Sequence, residues 1–396
     1  MRTLISFLIA CFFFSLSAFA QQTSPQTLSG QIPAQTPQTS PPAQANAPPP
    51  IPASSQANPA PQASPAGTKA ALSPAVDHRI WLDVVVTDKD GNAQSGLQQQ
   101  DFTVLDDKLP LNIASFHAVD GNAEPLKVIL VLDAVNAGVQ TVNFERQELE
   151  KFLRQDGGQL ALPTSLVFFT DTSTEVQPAT TRDGNSLADL LKSKETGLRV
   201  IDRAQGMYGA VDRLNLSLTA LKRLTAYEVN QPGRKLLIWF SPGWPLLSGP
   251  GIELTKKNQE WLFDNIVGLS GELRRARMTL YSVDPGGAAE AASFRAFYYK
   301  EFLNGARSEE KVQAGDLALP VLATQSGGKV MNSSNDLAHL IASCLADAKA
   351  YYTLAFEYPP ADHPNEYHAV DVKVDKPGLN ARTRTGYYAQ PYKAGR

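Results

Sequence analysis

The stretch LKVILVLD, residues 126–133, decides the fold class of this chain. It is a continuous apolar run that ends in an aspartate, which is typical of a strand buried on both faces of a sheet. Three runs of the same kind follow: SLVFFTD (165–171), KLLIWFS (235–241) and MTLYSVD (278–284). Together the four runs predict the central strands of one sheet.

Helical periodicity separates these runs. Apolar residues at helical spacing precede the second, third and fourth run: Phe144, Leu149, Phe152 and Leu153; Val211, Leu214, Leu218 and Leu221; Leu262, Ile266, Leu269 and Leu273. A short strand in GGKVMN (327–332) and a helix that opens with a capping box at Ser333 and Asp336 complete the region. Strands that alternate with helices predict a mostly parallel α/β sheet covered on both faces.

Two β-rich segments flank this α/β region. Residues 76–121 contain HRIWLDVVV and two turn signals, and residues 351–392 contain YYTLAFEY, YHAVDVKVD and ARTRTGYYA. Neither segment has enough strands for a stable sheet, since isolated hairpins are marginal. We predict that the two segments pair into one β-sandwich, with residues 122–350 inserted between them.

The N-terminal residues predict export. An apolar run from Leu4 to Ala20 follows Arg2 and ends in Ala18-Phe19-Ala20, the pattern of a signal peptide at residues 1–20. The run has about 17 residues, near the lower limit for spanning a bilayer, so a retained signal anchor that tethers the protein to the membrane is the alternative. Residues 21–75 are mostly Pro, Gln, Ala and Ser and predict a disordered linker. We expect a location in the periplasm or at the cell surface.

Composition excludes several classes of function. The 36 basic and 39 acidic residues give a net charge of -3, so no overall field favours nucleic acid as a partner. The two cysteines, Cys11 and Cys344, cannot form a disulfide or a cysteine-based zinc site within the folded part. No phosphate-binding glycine motif follows a predicted strand, and no Gly-x-Ser-x-Gly elbow is present. We therefore expect no nucleotide cofactor and no serine-hydrolase triad.

Several motifs resemble the von Willebrand factor A-related (VWFA-related) family of exported bacterial proteins, best known from acidobacteria. The motifs are VVVTDKDGNAQSGLQQQDFTVLDD, VILVLDAVN, GRKLLIWFSPG, TLYSVDPGG, SGGKVMNSSNDL, Tyr351-Tyr352, VDVKVDKPGL and the run from Arg384 to Ala389. The resemblance implies an A-type, doubly wound sheet with flanking helices, inserted in the β-sandwich. It does not by itself assign a function, because one fold serves many functions.

The resemblance also implies where a metal-ion-dependent adhesion site would lie. Such a site needs Asp-x-Ser-x-Ser after the first strand, a threonine on a later loop and an aspartate after the fourth strand. Here Asp133 is followed by Val135 and Ala137, and Ser241 is followed by Pro242. Spacing from Asp212 puts Tyr208 at the threonine position. A lone carboxylate binds Mg²⁺ poorly, so we predict no metal site and no cofactor, although Asn136 could supply a substitute oxygen.

Candidate binding residues lie at the predicted strand ends, where ligands of open α/β sheets bind. They are Asp133, Asn136, Tyr208, Ser241, Trp244 and Asp284. Trp244 has two interpretations: an exposed contact residue for a partner, or a loop anchor that packs against the core. His363 and His368 flank a proline and could approach a metal, but polar surface residues of a hairpin are the favoured interpretation.

The main hypothesis is an exported, non-enzymatic module that binds a protein partner. One alternative is an envelope hydrolase that uses the strand-end aspartates Asp133, Asp171 and Asp284, and another is a structural envelope component. The missing catalytic motifs favour binding over catalysis, and the aromatic turn at Trp244 favours binding over a passive structural role.

Overall fold

The computed structural model describes residues 79–121, 124–194, 206–245, 254–287 and 298–391. The predicted signal segment and the Pro-rich linker lie outside these residues. No helix within the described ranges has both the length and the apolar character needed to cross a bilayer.

The described part of the chain contains strands β1–β15 and helices α1–α6. The strands are β1 Arg79–Thr87, β2 Phe102–Asp106, β3 Leu109–Leu111, β4 Ser115–Asp120, β5 Leu126–Asp133, β6 Gln159–Phe169, β7 Thr174–Val176, β8 Thr181–Asp183, β9 Arg234–Phe240, β10 Met278–Val283, β11 Val330–Met331, β12 Ala350–Glu357, β13 Glu366–Val374, β14 Asn380–Arg382 and β15 Gly386–Ala389. The helices are α1 Val139–Arg154, α2 Gly184–Ser193, α3 Gly206–Glu228, α4 Lys256–Arg275, α5 Leu319–Gln325 and α6 Leu337–Leu345.

The central sheet has the strand order β11-β10-β9-β5-β6-β7, with β8 also paired to β6. The four pairs that join β11, β10, β9, β5 and β6 are all parallel. The two short strands β7 and β8 are antiparallel to β6. Sequence patterns did not indicate these strands, because three residues are too few to show a period. The predicted fold class, a doubly wound and mostly parallel sheet, is confirmed.

Helices cover both faces of this sheet. Apolar side chains of α1, α2 and α6 pack on one face, and those of α3, α4 and α5 pack on the other. The first predicted core position of two helices differs: Phe144 of α1 and Val211 of α3 are each 37% exposed. In α1 the predicted Leu149 and Leu153 are buried, together with Val142 and Glu145. A carboxylate thus occupies a core position of this helix.

The N- and C-terminal segments form the predicted β-sandwich. One sheet has the order β14-β1-β12-β4, and the other has the order β15-β13-β2-β3. Each sheet contains strands from both ends of the chain, since β1 pairs with β12 and β2 pairs with β13, both antiparallel. Alternate residues of the four central strands fill the core between the sheets, including Leu82, Val104, Leu354 and Val372.

Charged groups join the sandwich to the α/β region. Arg277 donates to Asp83 Oδ1 on β1 at 2.6 Å and to Glu124 Oε2 at 3.3 Å. The buried guanidinium of Arg234 lies over the Tyr351 ring, 4.6 Å from its centroid. These contacts join β1 and β12 of the sandwich to the beginnings of β9 and β10 in the central sheet.

A second junction is centred on the buried carboxylate of Asp347. Tyr281 of β10 donates to Oδ2 at 2.7 Å, Lys329 donates to Oδ1 at 2.9 Å, and Arg382 of β14 forms an ion pair with Oδ2. Burial alone raises the pKa of Asp347, but the positive charges of Arg382 and Lys329 outweigh burial and lower it. The ionised carboxylate therefore joins the central sheet to the sandwich.

Deleting the chain after Ala350 should abolish the sandwich and cause aggregation. The deletion removes the partners of β1 and β2 and exposes their unpaired apolar edges. Size-exclusion chromatography and thermal unfolding would measure the effect, with deletion after Gln390 as the control because that cut removes no described strand. A monomeric fragment that unfolds cooperatively would contradict the paired sandwich.

Candidate functional site

The carboxyl ends of β5, β9 and β10 meet at one edge of the central sheet. Asp133 is the last residue of β5, Ser241 follows β9, and Asp284 follows β10. These strands are parallel neighbours, so the three polar side chains come to the same edge. The structure places three of the predicted site residues there, each on a different strand end.

Asp133 is completely buried, and its two oxygens accept four hydrogen bonds. Oδ1 accepts from the backbone N–H groups of Val135 and Asn136, both at 2.9 Å. Oδ2 accepts from Asn136 Nδ2 at 2.8 Å and from Trp239 Nε1 at 2.9 Å. These four donors fill the lone-pair sites of a carboxylate. Asp133 therefore caps the end of β5 and orders the following loop.

The donors to Asp133 are all uncharged. Burial raises the pKa of Asp133 above its ordinary value, although the side chains of Asn136 and Trp239 lower it. A metal ion at this position would have to displace the indole N–H or the amide N–H. The nearest neighbours of the carboxylate thus occupy the directions from which a cation would approach.

Asn136 connects this loop to helix α3. Its Nδ2 donates to Asp133 and also to Ser217 Oγ at 2.9 Å, and Ser217 in turn donates to Arg213 O at 2.8 Å. Sequence reasoning missed Ser217. The signal was present, because a serine three residues after Leu214 and just before Leu218 lies on the apolar face of the helix.

Tyr208, which spacing placed at the threonine position, makes no hydrogen bond to Asp133 or Asn136 within the described part of the chain. Its side chain is 81% exposed near the start of α3. Ser217, the α3 residue that contacts Asn136, lies nine residues further along, about 13 Å at the rise of an α-helix. The distance from Asp212 in sequence was a poor guide, because it did not say where the helix begins.

Trp244 is a packing residue in this structure. Its side chain is 3% exposed and meets Trp239 edge to face, with ring centroids 5.2 Å apart. Trp239 in turn packs edge to face on Phe169 at 5.6 Å. Of the two interpretations of Trp244, the loop anchor agrees with this position, and an exposed contact residue does not.

A pocket with a cavity volume of about 60 Å³ opens beside Asp284, between the ends of β9, β10 and β11. We call it the strand-end pocket. It is lined by Ser241, Pro242, Gly243, Ser282, Asp284, Gly287, Tyr299, Pro320, Val330 and Asn332. A Cβ at position 287 would lie only 2.5 Å from the carbonyl oxygen of Asn332. Glycine at this position therefore allows the backbone at Gly287 to approach the backbone at Asn332 on one side of the pocket. The lining combines hydroxyl, amide and carboxylate groups with one aromatic ring.

Glu145 is a second buried carboxylate near this edge. It is 0% exposed, and neither of its oxygens has a hydrogen-bond partner among the described residues. Burial raises its pKa well above the usual value, and the charges of Asp133 and Asp284 raise it further. The buried site therefore favours the protonated, neutral form of Glu145. Its signal in the sequence was a charge between Val142 and Leu149 on the buried face of α1.

The strand-end aspartates do not form one ligand cluster. Asp133 is buried, Asp171 and Asp284 are partly exposed, and the three are not a group whose oxygens lie within 4.8 Å of one another. Within the described ranges, the His, Cys, Asp and Glu residues that form such a group are Asp106, Asp107 and His368. That cluster lies on the β-sandwich.

Replacing Trp244 with alanine should destabilise the protein by about 3 kcal/mol or more, because it leaves a cavity against Trp239. Urea unfolding would measure the change. Trp261→Ala on α4 is the matched control, since that side chain is 43% exposed and its loss should cost under about 1 kcal/mol. Equal effects of the two substitutions would show that Trp244 is not an anchor.

Glu145→Gln should remove a pH dependence of stability. In the unfolded chain the carboxyl of Glu145 has a pKa of about 4.5, and in the folded protein its pKa is higher. The folded state therefore binds this proton more tightly, so the contribution of Glu145 to the free energy of unfolding is complete below pH 4.5 and is lost as the pH rises. Above pH 4.5 the free energy of unfolding of the wild type should fall by up to about 1.4 kcal/mol per pH unit, until the pH reaches the raised pKa of the folded state.

Chemical unfolding over a range of pH would test this. The Gln variant should lack that slope and be the more stable protein at neutral pH. Glu148→Gln, at a partly exposed residue paired with Lys151, is the control and should keep the wild-type slope. An unchanged slope in Glu145→Gln would contradict the buried, protonated carboxylate.

Comparisons with known proteins add no function. No protein-family profile matches the chain. No curated protein is similar enough to count as a relative. Among solved structures, the chain is similar to proximal thread matrix protein 1 of the mussel byssus, with 12% identity and a TM-score of 0.31 over 61% of this chain and 50% of that one.

Two further similar structures contain VWA domains or carry a bound metal. The VWA domain of SpRpn10 has 10% identity and a TM-score of 0.24, over 41% of this chain and 75% of that one. The manganese-loaded TRAP protein of Plasmodium vivax has 9% identity and a TM-score of 0.29, over 68% and 96%. Values this low carry no argument about function, so the fold class rests on the strand order described above.

Proposed function

We propose that this chain is an exported, non-enzymatic protein-interaction module that binds its partner at the strand-end pocket of an A-type domain, without a metal ion. Membership of the exported VWFA-related family and a degenerate adhesion site are parts of the same proposal. The location in the periplasm or at the cell surface rests on the apolar N-terminal run.

The single observation that carries this proposal is the hydrogen bonding of Asp133. Its oxygens are occupied by four neutral N–H donors, whereas an adhesion site of this type would direct that carboxylate to a cation. The pocket beside it is open and lies at the edge where ligands of open α/β sheets bind. Recognition would then use the pocket lining directly.

The lining supports a partner that inserts a polar side chain. Asp284 accepts hydrogen bonds, Ser241 and Asn332 can both donate and accept, and Tyr299 offers an aromatic face. With a cavity volume of about 60 Å³, the pocket is small for a macromolecular groove and has room for one small polar group. Asp284 gives the lining an acidic character, which favours a partner group that donates hydrogen bonds.

The hydrolase alternative has less support. General acid–base catalysis needs a carboxylate within hydrogen-bond reach of a substrate, and Asp133 is completely buried with its lone pairs occupied. Asp284 lines the pocket without a second strand-end carboxylate in the lining. The structural-component alternative does not account for an open polar pocket at the ligand-binding edge.

A capture experiment tests the proposal. The full-length chain, immobilised, should retain an envelope protein with and without added Mg²⁺, and the protein retained would be identified by mass spectrometry. The pocket variants Asp284→Asn and Tyr299→Ala should each reduce capture by roughly tenfold or more, because central contact residues dominate binding energy. Lys373→Ala, at an exposed position of β13, is the matched control.

Two results would overturn the proposal. One is capture that both pocket variants leave unchanged, which would place the partner elsewhere on the surface. The other is capture that requires Mg²⁺, together with calorimetric Mg²⁺ binding that Asp133→Asn abolishes, which would restore a metal-dependent site at the strand ends.

A further inference from the structure

Three metal-ligating side chains from distant parts of the sequence meet at one end of the β-sandwich. Asp106 ends β2, Asp107 follows it in the turn to β3, and His368 lies on β13. Antiparallel pairing places Val370 opposite Asp106, and Asp107 N donates to Ala369 O at 2.8 Å. This register brings His368 beside two carboxylates that precede it by more than 260 residues.

The distances between the three ligand atoms suit a small divalent ion. His368 Nδ1 lies 3.0 Å from Asp106 Oδ1 and 3.9 Å from Asp107 Oδ2, and all three residues offer a ligand atom within 4.8 Å of the others. In a tetrahedral zinc site with bonds of 2.0–2.2 Å, ligand atoms are about 3.4 Å apart. The observed separations lie on both sides of this value, so shifts of a few tenths of an ångström bring the ligands into place.

Neighbouring groups orient each ligand. Tyr387 donates to Asp106 Oδ2 at 2.8 Å, and its ring stacks on the His368 ring with centroids 5.1 Å apart. Arg307 donates to Asp107 Oδ1 at 2.8 Å, which leaves Asp107 Oδ2 directed towards the histidine. Outer-shell contacts of this kind are a regular feature of metal sites, because they hold the ligands in a fixed orientation.

Among the described residues, the buried carboxylate of Asp106 has no side-chain partner with a fixed positive charge. Asp106 is almost completely buried, and the side chains that contact its carboxylate are those of His368 and Tyr387, neither of which has a fixed charge. Arg307 balances only Asp107. His368 Nδ1 lies 3.0 Å and 3.1 Å from the two oxygens of Asp106, which can only accept, so Nδ1 carries a proton there. A bound metal ion would replace that proton.

We propose that Asp106, Asp107 and His368 form a binding site for Zn²⁺, with ligand atoms Asp106 Oδ1, Asp107 Oδ2 and His368 Nδ1. An imidazole ligand favours zinc over Mg²⁺ or Ca²⁺, which prefer sites made of oxygen alone. Asp107 is partly exposed, so the fourth position faces outward and an ion can enter from solvent. This site is independent of the strand-end pocket and does not rest on the proposed function.

The bound ion would cross-link the two ends of the chain. Asp106 and Asp107 belong to the N-terminal segment and His368 to the C-terminal segment, so the ion adds a bond between β2 and β13. Binding energy gained only in the folded state stabilises the fold. Zinc should therefore raise the melting temperature of the sandwich.

Calorimetric titration of the metal-free, full-length chain with Zn²⁺ tests the site. One equivalent should bind with a Kd of about 1 μM or tighter, Mg²⁺ should bind far more weakly, and Zn²⁺ should raise the melting temperature. His368→Asn and Asp107→Asn should each weaken binding by roughly 10-fold to 100-fold. His363→Asn, an exposed residue of the neighbouring turn, is the matched control and should bind as the wild type does.

Cobalt provides a readout that does not depend on stability. Co²⁺ in a tetrahedral site absorbs visible light, and this absorption should be present in wild type and His363→Asn and weakened in Asp107→Asn, whose exposed turn position tolerates the change. The proposal is overturned if wild type binds no Zn²⁺, if Mg²⁺ binds as tightly as Zn²⁺, or if Asp107→Asn and His368→Asn keep full affinity.

Discussion

The antiparallel pairing of β1 with β12 is the constraint on which the rest of the structure depends. It joins residues about 270 positions apart, from Arg79 opposite Glu357 to Val84 opposite Tyr352. Closing so long a loop costs conformational entropy, which the buried ladder offsets by packing Leu82 and Leu354 into the sandwich core. On the same strand, Asp83 pairs with Arg277 and so joins the ladder to the α/β region. The insertion begins after β4 and ends at β12, and β12 pairs with both β4 and β1, so its two ends are held together in this sheet.

The buried carboxylate of Asp133 orders the strand-end edge. Asp133 is surrounded by N–H donors from its own loop and from Trp239, whose dipoles stabilise its charge. The Trp239–Trp244 contact then keeps the following turn packed on the core. The loops around the pocket are positioned by these buried contacts, and the polar lining faces the opening. Glu145 adds a buried carboxylate that lowers stability as pH rises, an energetic cost located beside the proposed binding face.

The two polar sites act on different parts of the same architecture. The strand-end pocket belongs to the inserted α/β region. The Asp106–Asp107–His368 cluster belongs to the β-sandwich that the N- and C-terminal segments form. An ion in that cluster would strengthen the pairing of β2 with β13, which is the counterpart of the β1–β12 ladder in the second sheet. Stability of the sandwich could then respond to the metal content of the surroundings while the binding face remains unchanged.

Sequence alone determined the elements whose pattern is local. Continuous apolar runs identified β5, β6, β9 and β10 because a strand buried on both faces must be apolar throughout. The pairing of the two terminal segments followed from their inability to form sheets separately. These two arguments predicted the fold class and the positions of Asp133, Ser241 and Asp284 at strand ends. They required no knowledge of which distant residues come into contact.

Only the tertiary structure decided which side chains face one another. Tyr208 is exposed, Trp244 is buried and Ser217 reaches Asn136, because the start of a helix and the path of a turn leave no periodic signal. Glu145 occupies a core position of α1, whereas Phe144 is 37% exposed. His368 meets Asp106 through the register of two strands more than 260 residues apart. A contact of that kind has no local pattern, since the pairing energy depends on the whole ladder rather than on either residue.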